Sequence, residues 1–369
     1  MLNKEYATPV SGDIDVIVCI SFRVRAGIDG AWAGTDGVRL DVPLGEGVAE
    51  PVTDQPARQR LAPERSAAAA RPPAAGLSFA MPARALPAAA RHDVAAKAAH
   101  ENFPVALRLL PGRYRRHLMA VYVYARTVDD IGDQAAPAGR LRMLGELETD
   151  LERLYAGIGG AGPTSPQWPA VRGLADVVAE CEIPIEPFVD LIRANQQDQA
   201  VTRYQTFDDL LGYCRLSANP VGRIVLSVFG CFTEERAERS DLICTGLQLA
   251  EHWQDVAEDL RAGRIYLPLD DLASHGCSEP DLAASQASPA VRGLMAFEVS
   301  RARSLIDAGA PLVGTLRGAA RAAVAGYVAG GRAALAAIAA ADYDVLSATP
   351  RPGRAGTAAG LIAAFARGR

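Results

Sequence analysis

The chain has 369 residues, 49% of them hydrophobic and only 6% aromatic, and a formal net charge of -5. That length allows one large domain or two smaller ones around a sizeable core. The mild acidity, with no block of Lys and Arg along one stripe, argues against nucleic acid as a partner.

Residues 1–95 are rich in Pro, Gly, Ala and Arg, with little sustained periodicity, and runs such as Ala67–Ala75 are low in complexity. Such composition cannot bury enough apolar surface to order itself, so a disordered N-terminal tail is expected. Residues 13–24 could form one strand, but it has no partner. The apolar stretch at 13–21 begins with Asp13 and Asp15 and leads to no clear cleavage site, which disfavours a signal peptide. Met81 is a plausible alternative start. A chain beginning there is expected to keep full activity and an unchanged thermal midpoint; unfolding or loss of turnover on that truncation would place the tail inside the domain.

From His92 onward the pattern is helical, in an alphabet rich in Ala, Leu and Arg that favours helix. Helices are expected near 94–110, 113–135, 138–157, 167–182, 185–200, 207–230, 234–262, 279–285, 288–309 and 311–341. Breaks carry their usual signals at Pro111-Gly112, between Gly157 and Pro169, at Pro184 and at Gly263. No strand pattern of any length interrupts them. The expected fold is all-α, a helical bundle with its site between facing helices over 96–345, followed by a flexible tail at 346–369. Pro220 falls inside one of these helices and should bend it, either as plain packing or so as to turn backbone carbonyls toward a ligand. The Ala-rich run near 333–341 is too short and too weakly apolar to span a membrane. Six cysteines (Cys19, Cys181, Cys214, Cys231, Cys244, Cys277) show no metal-like spacing. Cys214, Cys231 and Cys244 read as small core residues in a reducing compartment.

Two acidic clusters carry the chemistry. The first is Asp129, Asp130 and Asp133; the second is Asp255 and Asp259, with Glu251 one turn earlier. Two Asp residues four apart on a helix stand on one face, one turn above the other, where like charges repel. A single such pair is usually a solvated face. Here the neighbours are apolar nearly all round: Val121, Tyr122, Tyr124, Ala125, Val128 and Ile131 in one case, Leu247, Leu249, Ala250, Trp253, Val256 and Ala257 in the other. Acidic pairs on buried helices are costly unless paired or metal-bound. A hard cation such as Mg²⁺ removes the penalty and commonly bridges carboxylates to a substrate phosphate. The two faces are therefore expected to meet across a cavity and hold a diphosphate on Mg²⁺.

Other polar residues accompany them. Arg126 lies near the face of Asp129 and could take up leaving-group charge, or simply pair with Asp129 or Asp130. Arg264 and Tyr266 follow the second cluster, apt for phosphate or merely a turn. Asp198, Arg203 and Tyr204 end another helix and could add a polar contact. Tyr213, Ser217 and Asn219 set polar groups in an apolar helix, where they need partners. Gln248 shares the face of Glu251 and Asp255. His252 is one position off that face and reads as packing rather than catalysis.

Taken together these stretches resemble a known family. Glu101-Asn-Phe-Pro-Val-Ala, then Leu-Leu-Pro, Tyr-Ala-Arg-Thr-Val-Asp-Asp-Ile-Gly-Asp, Tyr-Cys-Arg-Leu-Ser-Ala-Asn-Pro-Val-Gly, and Gln-Asp-Val-Ala-Glu-Asp-Leu-Arg-Ala-Gly-Arg-Ile-Tyr-Leu-Pro are similar to the squalene/phytoene synthases. The likeness is greatest to the bacterial hydroxysqualene synthase branch associated with hopanoid biosynthesis, and covers roughly 95–345. The resemblance implies an isoprenoid synthase bundle with Mg²⁺ and diphosphate held by Asp129, Asp133, Asp255 and Asp259. It makes Arg126 a diphosphate ligand, and places Phe103, Tyr122, Tyr213 and Gln248 along the substrate cavity. Glu251 stands where related enzymes often carry Asn, adding a third carboxylate to that ladder. The implied reaction is ionisation of presqualene diphosphate and trapping of the rearranged cation by water. The rivals are a presqualene diphosphate or phytoene synthase condensing two prenyl diphosphates, and a non-catalytic helical assembly factor. A cytoplasmic location is implied. Attachment at the periphery of the inner membrane, and transient association with pathway enzymes, stay open.

Overall fold

The computed structural model describes residues 110–158 and 165–352, all within one compact unit. The expected tail at 1–95, the helix near 94–110, Phe103 and Cys19 lie outside the described residues. Those described are helical, with one isolated bridge between Arg203 and Ile265 as the extended pairing among them.

The first helix, α1, runs Gly112–Gln134 behind Pro111. It ends at Ala135 and Ala136, both extended; Pro137 pushes Ala136, the residue before it, out of the helical region. Helix α2 (Arg140–Ile158) buries Leu144, Leu147, Leu151 and Leu154, spaced to form one apolar stripe. The expected helix at 167–182 is two short ones, α3 (Pro169–Arg172) and α4 (Ala175–Cys181), parted at Gly173-Leu174. Helix α5 spans Glu186–Gln197. Tyr124 joins α1 to α5, its hydroxyl donating to the Phe188 carbonyl at 3.0 Å while the two rings meet edge to face.

The expected helix at 207–230 is also two: α6 (Phe207–Ser217), opened by a Thr206–Asp209 capping box, and α7 (Asn219–Val228). The break at Ala218 follows from Pro220, which has no N–H to give the helical ladder. The run expected at 234–262 divides at Asp255 (φ -103°, ψ 15°) into α8 (Glu234–Gln254) and α9 (Val256–Arg261). The register survives the break: Asp255 N–H still bonds the Glu251 carbonyl at 2.9 Å, and Asp259 N–H the Asp255 carbonyl at 2.8 Å. Helix α10 (Leu269–Ser274), too short to show a period, was not foreseen. Helix α11 is Pro289–Gly309, and the run expected at 311–341 becomes α12 (Leu312–Thr315) and α13 (Gly318–Ala340), separated by extended residues at Leu316-Arg317.

Helix α8 is the axis of this unit, packed against α7, α11 and α13. Gly246 lets α11 come close: a Cβ there would lie 2.5 Å from Ile306 Cγ1 and 3.0 Å from the Ala302 carbonyl. Because α8 is buried on most sides, its polar residues Ser240, Thr245, Gln248 and His252 are buried with it and must find partners inside. Helix α13 is long and apolar enough to cross a membrane by length and composition, yet most of it is buried against α8 and α11. The described cysteines are free thiols; Cys214 and Cys244 are buried as expected, and Cys231 is half-buried.

Packing runs past residue 345. Leu346 and Pro350 are buried, the Pro350 carbonyl accepts from Gln254 Nε2, and Asp344 Oδ1 accepts backbone N–H groups from Ala287, Leu346 and Ser347. Thr349 and Pro350 thus reach the junction of α8 and α9, where Thr349 Oγ1 donates to Glu258 at 3.1 Å.

Candidate active site

The last turns of α1 and α5 face each other. Asn195 of α5 donates to Asp129 Oδ1 at 3.0 Å, and Gln199 donates to the Gly132 carbonyl at 3.1 Å. Gly132 makes this approach feasible, because any Cβ there would collide with Asn195 Oδ1. A Gly132→Ala variant should push Asn195 off Asp129 and destabilise the protein by roughly 1–3 kcal/mol, as overpacking does. A thermal midpoint equal to that of the parent protein would show that α5 gives way instead.

Asp129 Oδ2 is buried and has no hydrogen-bond partner. Burial pushes the Asp129 carboxyl well above the usual range; the Asn195 hydrogen bond and Arg126 pull it down, while the nearby charges of Asp133 and Asp198 push it further up. Asp129, Asp133, Asn195, Asp198, Tyr213, Ser217 and Gln248 line one small cavity of about 30 Å³.

The two acidic segments are joined directly. Arg264, just past α9, reaches Asp133 on α1 with 3.3 Å between Nη1 and Oδ1. Arg264 is held in place by the segment that follows it. Ile265 N–H bonds the Thr202 carbonyl, and Leu269 and Asp270 bond Tyr204 and Gln205, so residues 265–270 lie along 202–205. The same strap buries Tyr266, whose hydroxyl meets Asp198 at 3.4 Å while Tyr213 donates to the other Asp198 oxygen at 2.9 Å. Tyr204, Tyr213, Tyr266 and His252 form one aromatic group, with His252 stacked on Tyr266 at 3.7 Å between ring centres.

Arg126 is 3% exposed and pairs with Asp130 at 2.9 Å, an ion pair compatible with its expected part in taking up leaving-group charge. Glu251, Asp255 and Asp259 stand one turn apart along α8 and α9, each half-buried. His252 Nδ1 lies 3.8 Å from Asp259 Oδ2. Among the described residues no three His, Cys, Asp or Glu side chains come close enough to grip one metal ion. Asp133 and Asp130 are instead paired with arginines and Asp129 with an amide.

Two expected residues stand elsewhere. Asn219 accepts from Thr245 Oγ1 at 2.9 Å and lines a separate open groove of about 1130 Å³ between α5, α6, α7 and α8. Helical spacing is reason enough: at about 100° per residue Asn219 stands roughly 200° round from Ser217, on the opposite side of the run. Tyr122 is buried on α1 and does not line the cavity of Asp129. Conversely, Asn195 was missed; its one sequence signal is a polar residue three before Asp198 near the end of an apolar helix. His252 does pack, as expected, but it also sits between Gln248 and Asp259.

Comparisons with known proteins bear on the whole described unit. The sequence profile of the squalene/phytoene synthases matches residues 96–355. A hydroxysqualene synthase from Rhodopseudomonas palustris is 37% identical over 220 residues, 59% of this chain and 72% of that protein. A phytoene synthase from Arthrospira platensis is 33% identical over 217 residues, 55% of this chain and 68% of that protein. Among solved structures, squalene synthase HpnC from Alicyclobacillus acidocaldarius is similar with a TM-score of 0.62 and 40% identity, over 70% of this chain and 97% of that one. A dehydrosqualene synthase in complex with ligand shares the fold at a TM-score of 0.64 and 23% identity, over 76% of this chain and 95% of that one.

Proposed function

Because the chain belongs to the squalene/phytoene synthase family, whose members are isoprenoid biosynthetic enzymes acting on prenyl diphosphates, we propose that it is a hydroxysqualene synthase. It ionises presqualene diphosphate, lets the cyclopropylcarbinyl cation rearrange, and ends the reaction with water. The observation that carries this reading is the buried, unpartnered Asp129 Oδ2 in a cavity shared with Asp133 and Asp198, tied by Arg264 to the second acidic segment. Relatives named hydroxysqualene synthase from two further organisms, at 34% identity each, favour this branch.

What speaks for Mg²⁺ is the buried Asp129 oxygen with no donor, close to the charges of Asp133 and Asp198; the carboxylates would have to draw together to grip the ion, since no three of them do so here. Asp129, Asp133, Asp255 and Asp259, with Glu251, are the residues that would hold it. Once bound, Mg²⁺ supplies positive charge to a diphosphate leaving group. Arg264, which follows the second acidic segment and pairs with Asp133 of the first, offers its guanidinium to the departing diphosphate. Arg126 stays against Asp130 and offsets the negative charge of the pair beneath it. Tyr213 and Tyr266 fix Asp198 from two sides, and Tyr213 lines the cavity, where its ring could face a carbocation.

Incubating the purified protein with Mg²⁺ and presqualene diphosphate should give the C30 alcohol and free diphosphate. Presqualene diphosphate or phytoene formed from two prenyl diphosphates, with no alcohol, would move the protein to the condensing branch. Absence of turnover on every prenyl diphosphate would leave a helical assembly factor.

A further inference from the structure

Arg264 leaves α9 through a turn that fixes its backbone on both sides. Gly263, in the left-handed region at φ 81°, ends the helix: its N–H bonds the Leu260 carbonyl, and the Arg264 N–H bonds the Asp259 carbonyl at 2.8 Å. Beyond Arg264, the Ile265 N–H bonds the Thr202 carbonyl at 3.0 Å. The Gly263 carbonyl has no part in these helix-ending bonds. Arg203 takes it: Nη1 donates to the Gly263 carbonyl at 2.7 Å and to the Thr202 carbonyl at 2.9 Å. The peptide joining Gly263 to Arg264 is thereby held at its N–H and at its carbonyl.

Arg203 is itself clamped. Its Nε and Nη2 donate to the two carboxylate oxygens of Glu279, at 2.8 and 2.9 Å, in a planar fork. Glu279 opens a 3-10 turn, Glu279–Ala283, with Leu282 buried beneath it. Asp281 Oδ2 ties the entry of that turn by accepting from both the N–H and the hydroxyl of Ser278. Four donations thus occupy most of the five N–H groups of the Arg203 guanidinium, which has little left for a ligand. Arg264 has the opposite character: its guanidinium reaches Asp133 of the candidate site. A long side chain carries any tilt of its root out to its tip, so a loosened Gly263–Arg264 peptide displaces that guanidinium. We propose that Arg203, locked by Glu279, is a positioning residue: by holding this peptide it aims Arg264 at the departing diphosphate. The inference rests on the diphosphate chemistry proposed above, and is independent of how the carbocation is quenched.

The test is a double-mutant cycle on presqualene diphosphate and Mg²⁺: Arg203→Gln, Arg264→Gln and the two together, with Glu279→Gln and Arg203→Lys beside them. Turnover, inhibition by inorganic diphosphate and the thermal midpoint are read for each. Arg203→Gln should lower kcat roughly tenfold and weaken inhibition by inorganic diphosphate by a similar factor, because a displaced guanidinium grips the leaving group less well. Glu279→Gln should move both in the same direction. The midpoint should barely change, since the Arg203–Glu279 pair is partly exposed. Arg203→Lys should recover part of the loss, by keeping a donor for the Gly263 carbonyl without the fork. In the Arg264→Gln background, Arg203→Gln should cost nothing more, because no guanidinium is left to aim. Additive losses in the double variant overturn the proposal, since Arg203 then acts by a route of its own. Unchanged turnover in Glu279→Gln overturns the clamp even if Arg203→Gln fails to fold. Either result in an active parent protein sinks this inference alone. A parent that acts on a different prenyl diphosphate loses the hydroxysqualene reading, and the same cycle on that substrate still decides the role of Arg203. A parent that releases diphosphate from no prenyl diphosphate sinks both.

Discussion

An Asp129→Asn variant should lose on the order of 10²-fold or more in turnover, the usual cost of deleting a main electrostatic stabiliser. Its fold should be intact. Asparagine has the same shape, can still receive the Asn195 amide on its carbonyl oxygen, and removes a buried charge that Asp133 and Asp198 repel. The pH dependence separates this from a merely structural effect. Because burial raises the Asp129 carboxyl in the folded state, the stability linked to its proton is fully present below about pH 4, where the unfolded chain is also protonated, and is lost as pH rises through the folded-state value. In the absence of metal, the Asn variant should therefore have the higher thermal midpoint at pH 8, and the advantage should fade in acid. Near-normal turnover, or a midpoint difference that does not depend on pH, would remove Asp129 from the proposed site.

Arg264→Gln should be comparably damaging, by roughly 10²-fold in kcat/KM, since it deletes a guanidinium placed where the leaving group's charge develops. Stability should barely change: the Arg264–Asp133 pair is partly exposed on both sides, and such pairs are worth at most about 1 kcal/mol. Arg264→Lys should recover part of the activity, because it restores the charge but not the planar fork. Full activity in Arg264→Gln, measured at substrate concentrations well below KM, would leave Arg264 as a surface link with no part in diphosphate departure.

The acidic pairs were legible in the sequence because their spacing and their apolar neighbours are both local facts. Helical spacing puts Asp129 and Asp133 on one face whatever else the chain does, and the hydrogen bonds through Glu251, Asp255 and Asp259 keep that spacing even where α8 gives way to α9. The break near Pro220 was equally local, and so was the place of Asn219, which helical spacing sets on the side of the run away from Tyr213 and Ser217. Asn195 and the strap of 265–270 along 202–205 depend on contacts between segments roughly 60 residues apart, which periodicity does not report. Residues 344–350 were hidden for a related reason. Asp344 draws them in by collecting backbone N–H groups, and nothing in a Ser-, Thr- and Pro-containing stretch announces that.

Helices α1 and α8 share a trait in how they end. Both place their carboxylates in or just after the final turn: Asp130 and Asp133 close α1 at Gln134, and Glu251 and Asp255 close α8 at Gln254. That is the end where unsatisfied carbonyls give a helix about half a negative charge, and where natural sequences favour Lys or Arg. The first of these final turns holds no basic residue at all, and the second holds His252 alone. At α1 a cation already answers: Arg140 donates from Nη2 to the Asp133 carbonyl at 2.7 Å and from Nε to the Ala135 carbonyl at 2.9 Å, while at α8 the Glu251 carbonyl is taken by the Asp255 N–H. The side-chain carboxylates at these two ends, rather than bare helix carbonyls, are therefore what an arriving cation would meet.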